Sequence, residues 1–177
     1  MKLYHIDRNK NLECGMLNLK KTVVLDGGEA VQNILDNNIK CYYYEGLSIH
    51  GVNYFVRPIA STDAVIETVF EYERLLNYPD KLSRFQSLFA FDEANLKKFI
   101  EEYRLTDFKL FEVESEYFEK YNQRLLHGDR QFHLSELAKD YWSNQNRYNI
   151  AIDNPIYEHL LKFPINIIGE VKISEMN

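Results

Sequence analysis

A chain of 177 residues with 45% apolar and 14% aromatic side chains can bury a core of its own, which excludes a disordered chain and fits one domain, residues 1–177. A formal net charge of −6 and a pI of about 5.4 exclude a global attraction to nucleic acid or anionic membrane, and leave only a local basic groove open. Two cysteines, Cys14 and Cys41, are too few for a disulfide framework and read as reduced thiols of a cytoplasmic protein.

The N-terminus carries charges where a signal peptide needs an apolar run, and residues 2–6 read instead as a short strand ended by the polar turn 7–11. Residues 22–25 form another apolar run, closed by Asp26-Gly27-Gly28. Helical spacing of Ala30, Val31, Ile34 and Leu35 predicts a helix over 29–37. From 41 to 57 aromatics and glycines alternate with polar residues, which reads as strand and loop. The clearest helix spans 61–78: Ser61 or Thr62 caps it, Val65, Ile66, Val69, Phe70, Leu75 and Leu76 recur along it, and Pro79-Asp80 stops it.

Residues 85–91 read as a strand, followed by a helix capped by Asp92 with Ala94, Leu96, Phe99 and Ile100 on one face. Residues 108–113 alternate like a strand, 114–149 is polar and irregular apart from a short helix at 134–142, and 164–173 is rich in β-branched residues. Strands and helices mix without a steady βαβ rhythm, so the fold class is α+β. No stretch approaches the roughly 18 apolar residues of a membrane span.

There is no P-loop, no G-x-G-x-x-G, no C-x-x-C and no H-E-x-x-H. His127 and His133 flank Gly128-Asp129-Arg130 without a further ligand at sensible spacing, so no metal is expected. His5, at a strand end, either points ring nitrogens into a cleft or is a structural histidine. In the run from Ser83 to Asp92, Arg84 suits a phosphate or carboxylate, Ser87 a hydrogen bond, and Phe89 or Phe91 a flat ring; the same run also fits a core strand with one salt bridge. Glu158 lies among apolar residues, as a surface group or as a partly buried catalytic carboxylate.

Three pieces in this order carry a resemblance. Leu3-Tyr4-His5-Ile6-Asp7 with Asn11-Leu12-Glu13-Cys14-Gly15 resembles the opening strand and turn of the ADP-ribosyltransferase superfamily, in its His-first branch. Residues 87–94 resemble the Tyr-Ala-Thr strand and following helix of the small rifampin ADP-ribosyltransferases, and 163–171 resembles their final "Pro-Leu-x-Val-Val-Gly-Glu-Val" strand. Over nearly its full length the chain also resembles a family of uncharacterised bacterial proteins, a domain of unknown function. Its marks are "Ser-Arg-Phe-x-Ser-x-Phe-Ala", here residues 83–90, and a later Tyr-Trp pair, here Tyr141-Trp142.

The resemblance implies split mixed or antiparallel sheets flanked by helices, and NAD as substrate with an acceptor that is a protein, a nucleic acid or a small molecule. It implies that His5 bonds the adenosine ribose. Phe89, where the family has Tyr, stacks on nicotinamide with help from Tyr157. Arg84 meets phosphate, Ser87 meets the nicotinamide amide or the ribose, and Glu158 is catalytic, with Glu116 as the alternative acid. The other reading keeps the fold as an inactive NAD- or ADP-ribose-binding module, or as an interaction module using Tyr42-Tyr43-Tyr44.

Overall fold

The N-terminal run of residues 2–6 forms β1 (Leu3–Asp7), and one carboxylate pins the turn after it. Asp7 Oδ1 accepts the backbone N–H groups of Asn9 and Lys10 at 3.0 Å, and Oδ2 accepts that of Leu12 at 2.8 Å. With those donors satisfied, Lys10 holds a left-handed φ of 58°. This computed structural model describes residues 1–24, 28–56, 62–126, 133–147 and 154–176. The Asp26-Gly27 turn, the Ser61 cap and the His127–Arg130 stretch lie outside the described residues.

The remaining elements are β2 (Gly15–Leu17), α1 (Gly28–Tyr42), α2 (Ile49–Val56), α3 (Thr62–Asn77), β3 (Ser87–Ala90), α4 (Glu93–Glu102), β4 (Lys109–Glu114), β5 (Phe118–Asn122), α5 (Leu134–Ser143), β6 (Tyr157–Lys162) and β7 (Ile165–Glu170). The class is α+β: one antiparallel sheet has the order β1-β4-β7-β2, and the other the order β3-β6-β5. The sheets touch where Tyr4 and Phe91 exchange backbone hydrogen bonds of 2.8 Å, so the end of β3 lies beside β1.

Period-two alternation sorts the faces of the three-stranded sheet. Leu88, Ala90 and Leu161 face the other sheet and pack with Leu3, Phe111, Val113, Ile165 and Ile167. The opposite face carries Tyr121 and Leu160, covered by α3 and α5 through Ile66, Phe70, Leu137, Tyr141 and Trp142, with Phe89 packed alongside. The Trp142 indole N–H donates to the Phe70 carbonyl at 2.7 Å, which satisfies a buried donor and ties α5 to α3.

Several segments differ from their sequence reading. Within 41–57, residues Ile49–Val56 are helical, because the Ser48 hydroxyl accepts the Gly51 N–H at 2.9 Å and caps the first turn. Glycine is required there: a Cβ on Gly51 would stand 2.1 Å from the Phe85 carbonyl oxygen, where α2 crosses the chain before β3. The strand read over 85–91 starts with a 3-10 turn at Arg84–Gln86, and only Ser87–Ala90 pairs with β6. The stretch 114–149 contains β5, hidden from a hydropathy reading by Glu119 and Lys120 on its two faces. Tyr42 ends α1 and Tyr43 and Tyr44 follow it, rather than lining a strand, with Tyr43 4% exposed against 56% and 76% for Tyr42 and Tyr44. The Asp92 cap forms as read, its Oδ1 accepting the Asn95 N–H at 2.9 Å.

Candidate functional site

The run Ser83-Arg84-Phe85-Gln86-Ser87 folds into a closed turn because its two serines bond within it. Ser83 Oγ accepts the Phe85 N–H at 3.1 Å, and the Ser87 hydroxyl donates to the Ser83 carbonyl at 2.7 Å. That turn sends Arg84 inward beneath the covered face of the three-stranded sheet, where it is 2% exposed. Nε and Nη2 donate to Glu67 Oε2 and Oε1 at 2.7 and 2.8 Å, a bidentate pair with α3. Nη1 donates to the Tyr141 hydroxyl at 2.6 Å and to Glu158 Oε1, and Tyr141 donates to that same oxygen at 2.7 Å. The guanidinium lies 4.3 Å from the centre of the Phe89 ring.

Above this buried layer are two histidines. His5 Nδ1 stands 2.6 Å from the Phe89 carbonyl oxygen, and a carbonyl only accepts, so Nδ1 carries the hydrogen. Burial holds the His5 pKa below the ordinary imidazole value against the opposing pull of that carbonyl, and Nε2 of the neutral ring is then an acceptor. His50, on α2, meets the Phe89 ring edge-on at 4.1 Å and the Tyr54 ring at 4.4 Å. Its Nε2 lies 3.7 Å from Glu67 Oε1, with its side chain 28% exposed.

The buried layer divides its charge unequally. Burial pushes the Glu158 carboxyl above the ordinary range, and the charge of Arg84 and the hydrogen bond from the Tyr141 hydroxyl offset this only in part. Burial acts on Glu67 too, but Arg84 and His50 outweigh it and hold that carboxyl down at about 2. Burial and the Glu158 carboxyl keep the Tyr141 phenol protonated against the pull of Arg84. The arrangement is a guanidinium clamped between two carboxylates, with the Phe89 ring against it, the His50 imidazole at the edge of that ring and the His5 imidazole on the Phe89 carbonyl.

Of the residues singled out from sequence, the fold brings His5, Arg84, Phe89 and Glu158 together. Ser87 is fully buried with its hydroxyl committed to the turn. Tyr157 points away from Glu158, because adjacent residues of β6 face opposite sides of the sheet. It lies under Lys120 Nζ at 4.5 Å and lines a separate cavity of about 570 Å³ with Lys120, Asn122, Asn144 and Gln145. Glu116 is exposed in the turn between β4 and β5.

Glu67, His50 and Tyr141 were not read from sequence as site residues. The signal for Glu67 was its place on the apolar stripe of α3, next to Ile66 and one turn from Phe70, where a carboxylate needs a buried partner. In sequence Tyr141 is half of a Tyr-Trp pair without a role, and His50 stands in the segment 41–57 that reads as strand and loop. Among the described residues no group of three or more His, Cys, Asp or Glu side chains is placed to hold a metal ion. No helix of the described residues is long and apolar enough to cross a membrane.

Residues 3–175 match the sequence model of a family described as protein of unknown function (DUF2441), and the chain belongs to that family. Comparison with curated proteins finds none that matches.

Proposed function

We propose that this chain is a cytoplasmic NAD-binding protein of ADP-ribosyltransferase type, which transfers ADP-ribose from NAD to an acceptor through Glu158. The supporting observation is a chain of contacts that joins β1, β3, the turn before it and β6: His5 meets the Phe89 carbonyl, Arg84 lies over the Phe89 ring, and Glu158 binds Arg84. His5 Nε2 accepts a hydrogen bond from a ribose hydroxyl, and the partly exposed face of Phe89 packs on nicotinamide. In the transfer the C1′–N bond breaks and its electron pair leaves with nicotinamide. A lone pair of the acceptor forms the new bond at C1′, and the acceptor's proton passes to solvent. An ionised Glu158 would stabilise the positive charge that develops on the ribose.

One observation favours a second reading, binding without turnover. Glu158 is 2% exposed and engaged by both Arg84 and Tyr141, so its carboxyl is withheld from a ligand in this state. Incubation with NAD labelled in the ADP-ribose half, in the presence of cell lysate, separates the two. Nicotinamide release with label passing to a protein, a nucleic acid or a small molecule, lost in Glu158→Gln, supports the transferase. Saturable NAD binding without release supports the binding module, and neither result rejects both.

A further inference from the structure

Glu67 and Glu158 share one guanidinium in a place closed to water, with side chains 6% and 3% exposed beside an Arg84 side chain at 2%. Counted alone, the two carboxylates and the guanidinium carry a net negative charge; the His50 imidazole, Nε2 3.7 Å from Glu67 Oε1, can add a positive charge beside Glu67, and desolvation penalises any buried surplus charge severely. One proton removes the surplus, and the geometry decides where it sits. Glu67 takes Nε and Nη2 through parallel bonds to both of its oxygens, the arrangement that best stabilises an ionised carboxylate. Glu158 is left with Nη1, which it shares with Tyr141, and both contacts converge on Oε1.

Resting on the reading of Glu158 as the reacting carboxyl, we propose that Glu67 is a positioning residue. By holding the two-nitrogen face of Arg84, it keeps Glu158 a neutral carboxylic acid in the resting protein. The site is therefore closed chemically as well as sterically, and its carboxylate appears only when the hold of Glu67 on Arg84 is relaxed or the proton is drawn off by rising pH. The raised Glu158 and depressed Glu67 carboxyls agree with this division. The groups facing the pair from each packed element are Arg84 from the turn before β3, Glu67 from α3, Tyr141 from α5 and His50 from α2. Tyr121 from β5 completes the set, its ring stacked 4.5 Å from that of Tyr141.

Infrared spectroscopy of the full chain, with and without ¹³C-carboxyl glutamate and without any ligand, reads this directly. At neutral pH a protonated glutamate C=O band that shifts with the label is expected, absent in Glu158→Gln. In Glu67→Gln the disappearance of the band on raising pH should move to lower pH by about one unit or more, because a like charge has been removed. In Tyr141→Phe, which loses a donor to the ionised form, it should move to higher pH. Opposite shifts in two variants are not produced by loosened packing. No such band in the wild type, its survival in Glu158→Gln, or an unmoved titration in Glu67→Gln would overturn the proposal. Calorimetry with NAD, run separately, tests the functional reading, so a failure there is distinct from a failure of the infrared result.

Discussion

Two buried arginines meet glutamates one helical turn apart on α3, and their surroundings differ in one respect. Arg74 pairs with Glu71 through Nε at 3.1 Å and Nη2 at 2.8 Å, and its Nη1 donates to the carbonyls of Pro79 and Lys81 at 3.3 and 3.1 Å. Ser83 completes that group by donating to Glu71 Oε1 at 2.8 Å. One cation meets one carboxylate, the spare donors close the C-terminal end of α3, and no charge is left over. Arg84 has the same depth and chemistry but gives its hydrogen bonds to two carboxylates and a phenol among the described residues. A balanced pair braces the fold, whereas an unbalanced one stores a proton that chemistry can use.

The largest test of that contrast is Arg84→Met. It strands the Glu67 carboxylate and leaves the Glu158 acid and the Tyr141 hydroxyl without their shared donor, so unfolding in urea should show a loss of about 3–5 kcal/mol. Arg74→Met strands one, with Ser83 still bonded to it, and should cost less; the reverse order would break the comparison.

A smaller effect is expected with acid. The Glu67 carboxyl is depressed in the folded state to about 2, so its stabilisation is present above its ordinary value and is lost as pH falls toward 2. Glu158 is raised, so its contribution has the opposite sign: it is complete below its ordinary value and fades as pH rises through its folded value. Urea midpoints measured across this range should fall on the acid side in the wild type and fall less in Glu67→Gln.

Tyr141→Phe removes a hydroxyl that accepts from Arg84 and donates to Glu158, and should cost about 1–2 kcal/mol in the same assay. Ser83→Ala, on the balanced side, loses one bond to Glu71 and the cap on Phe85, and about 1 kcal/mol is expected. A Ser83 effect larger than that of Tyr141 would mean that the Arg74 brace carries more of the stability than the Arg84 cluster.

What could be read in advance followed local periodicity. The apolar stripe of α3, the Asp92 cap of α4 and the polar turn that ends β1 are local signals, and each element formed close to its expected place. The helix α2 was hidden because its cap is one serine and its glycine is explained by a distant chain, the Phe85 carbonyl. For the site, motif order pointed to Arg84 and Glu158, but their bond to each other is made by tertiary packing and has no sequence spacing. Glu67 and His50 come from helices that meet the site only after α2 and α3 have packed on β3 and the turn before it. Tyr157 shows the converse: neighbouring Glu158 in sequence, it is parted from it by the alternation of one strand.

The central claim is that His5 and Phe89 wall a site for NAD, and titration calorimetry with NAD on the wild type and on His5→Ala tests it most directly. The account predicts saturable binding to the wild type, weakened about tenfold when His5 loses its acceptor nitrogen. Absence of binding, or binding unchanged in His5→Ala, would contradict it.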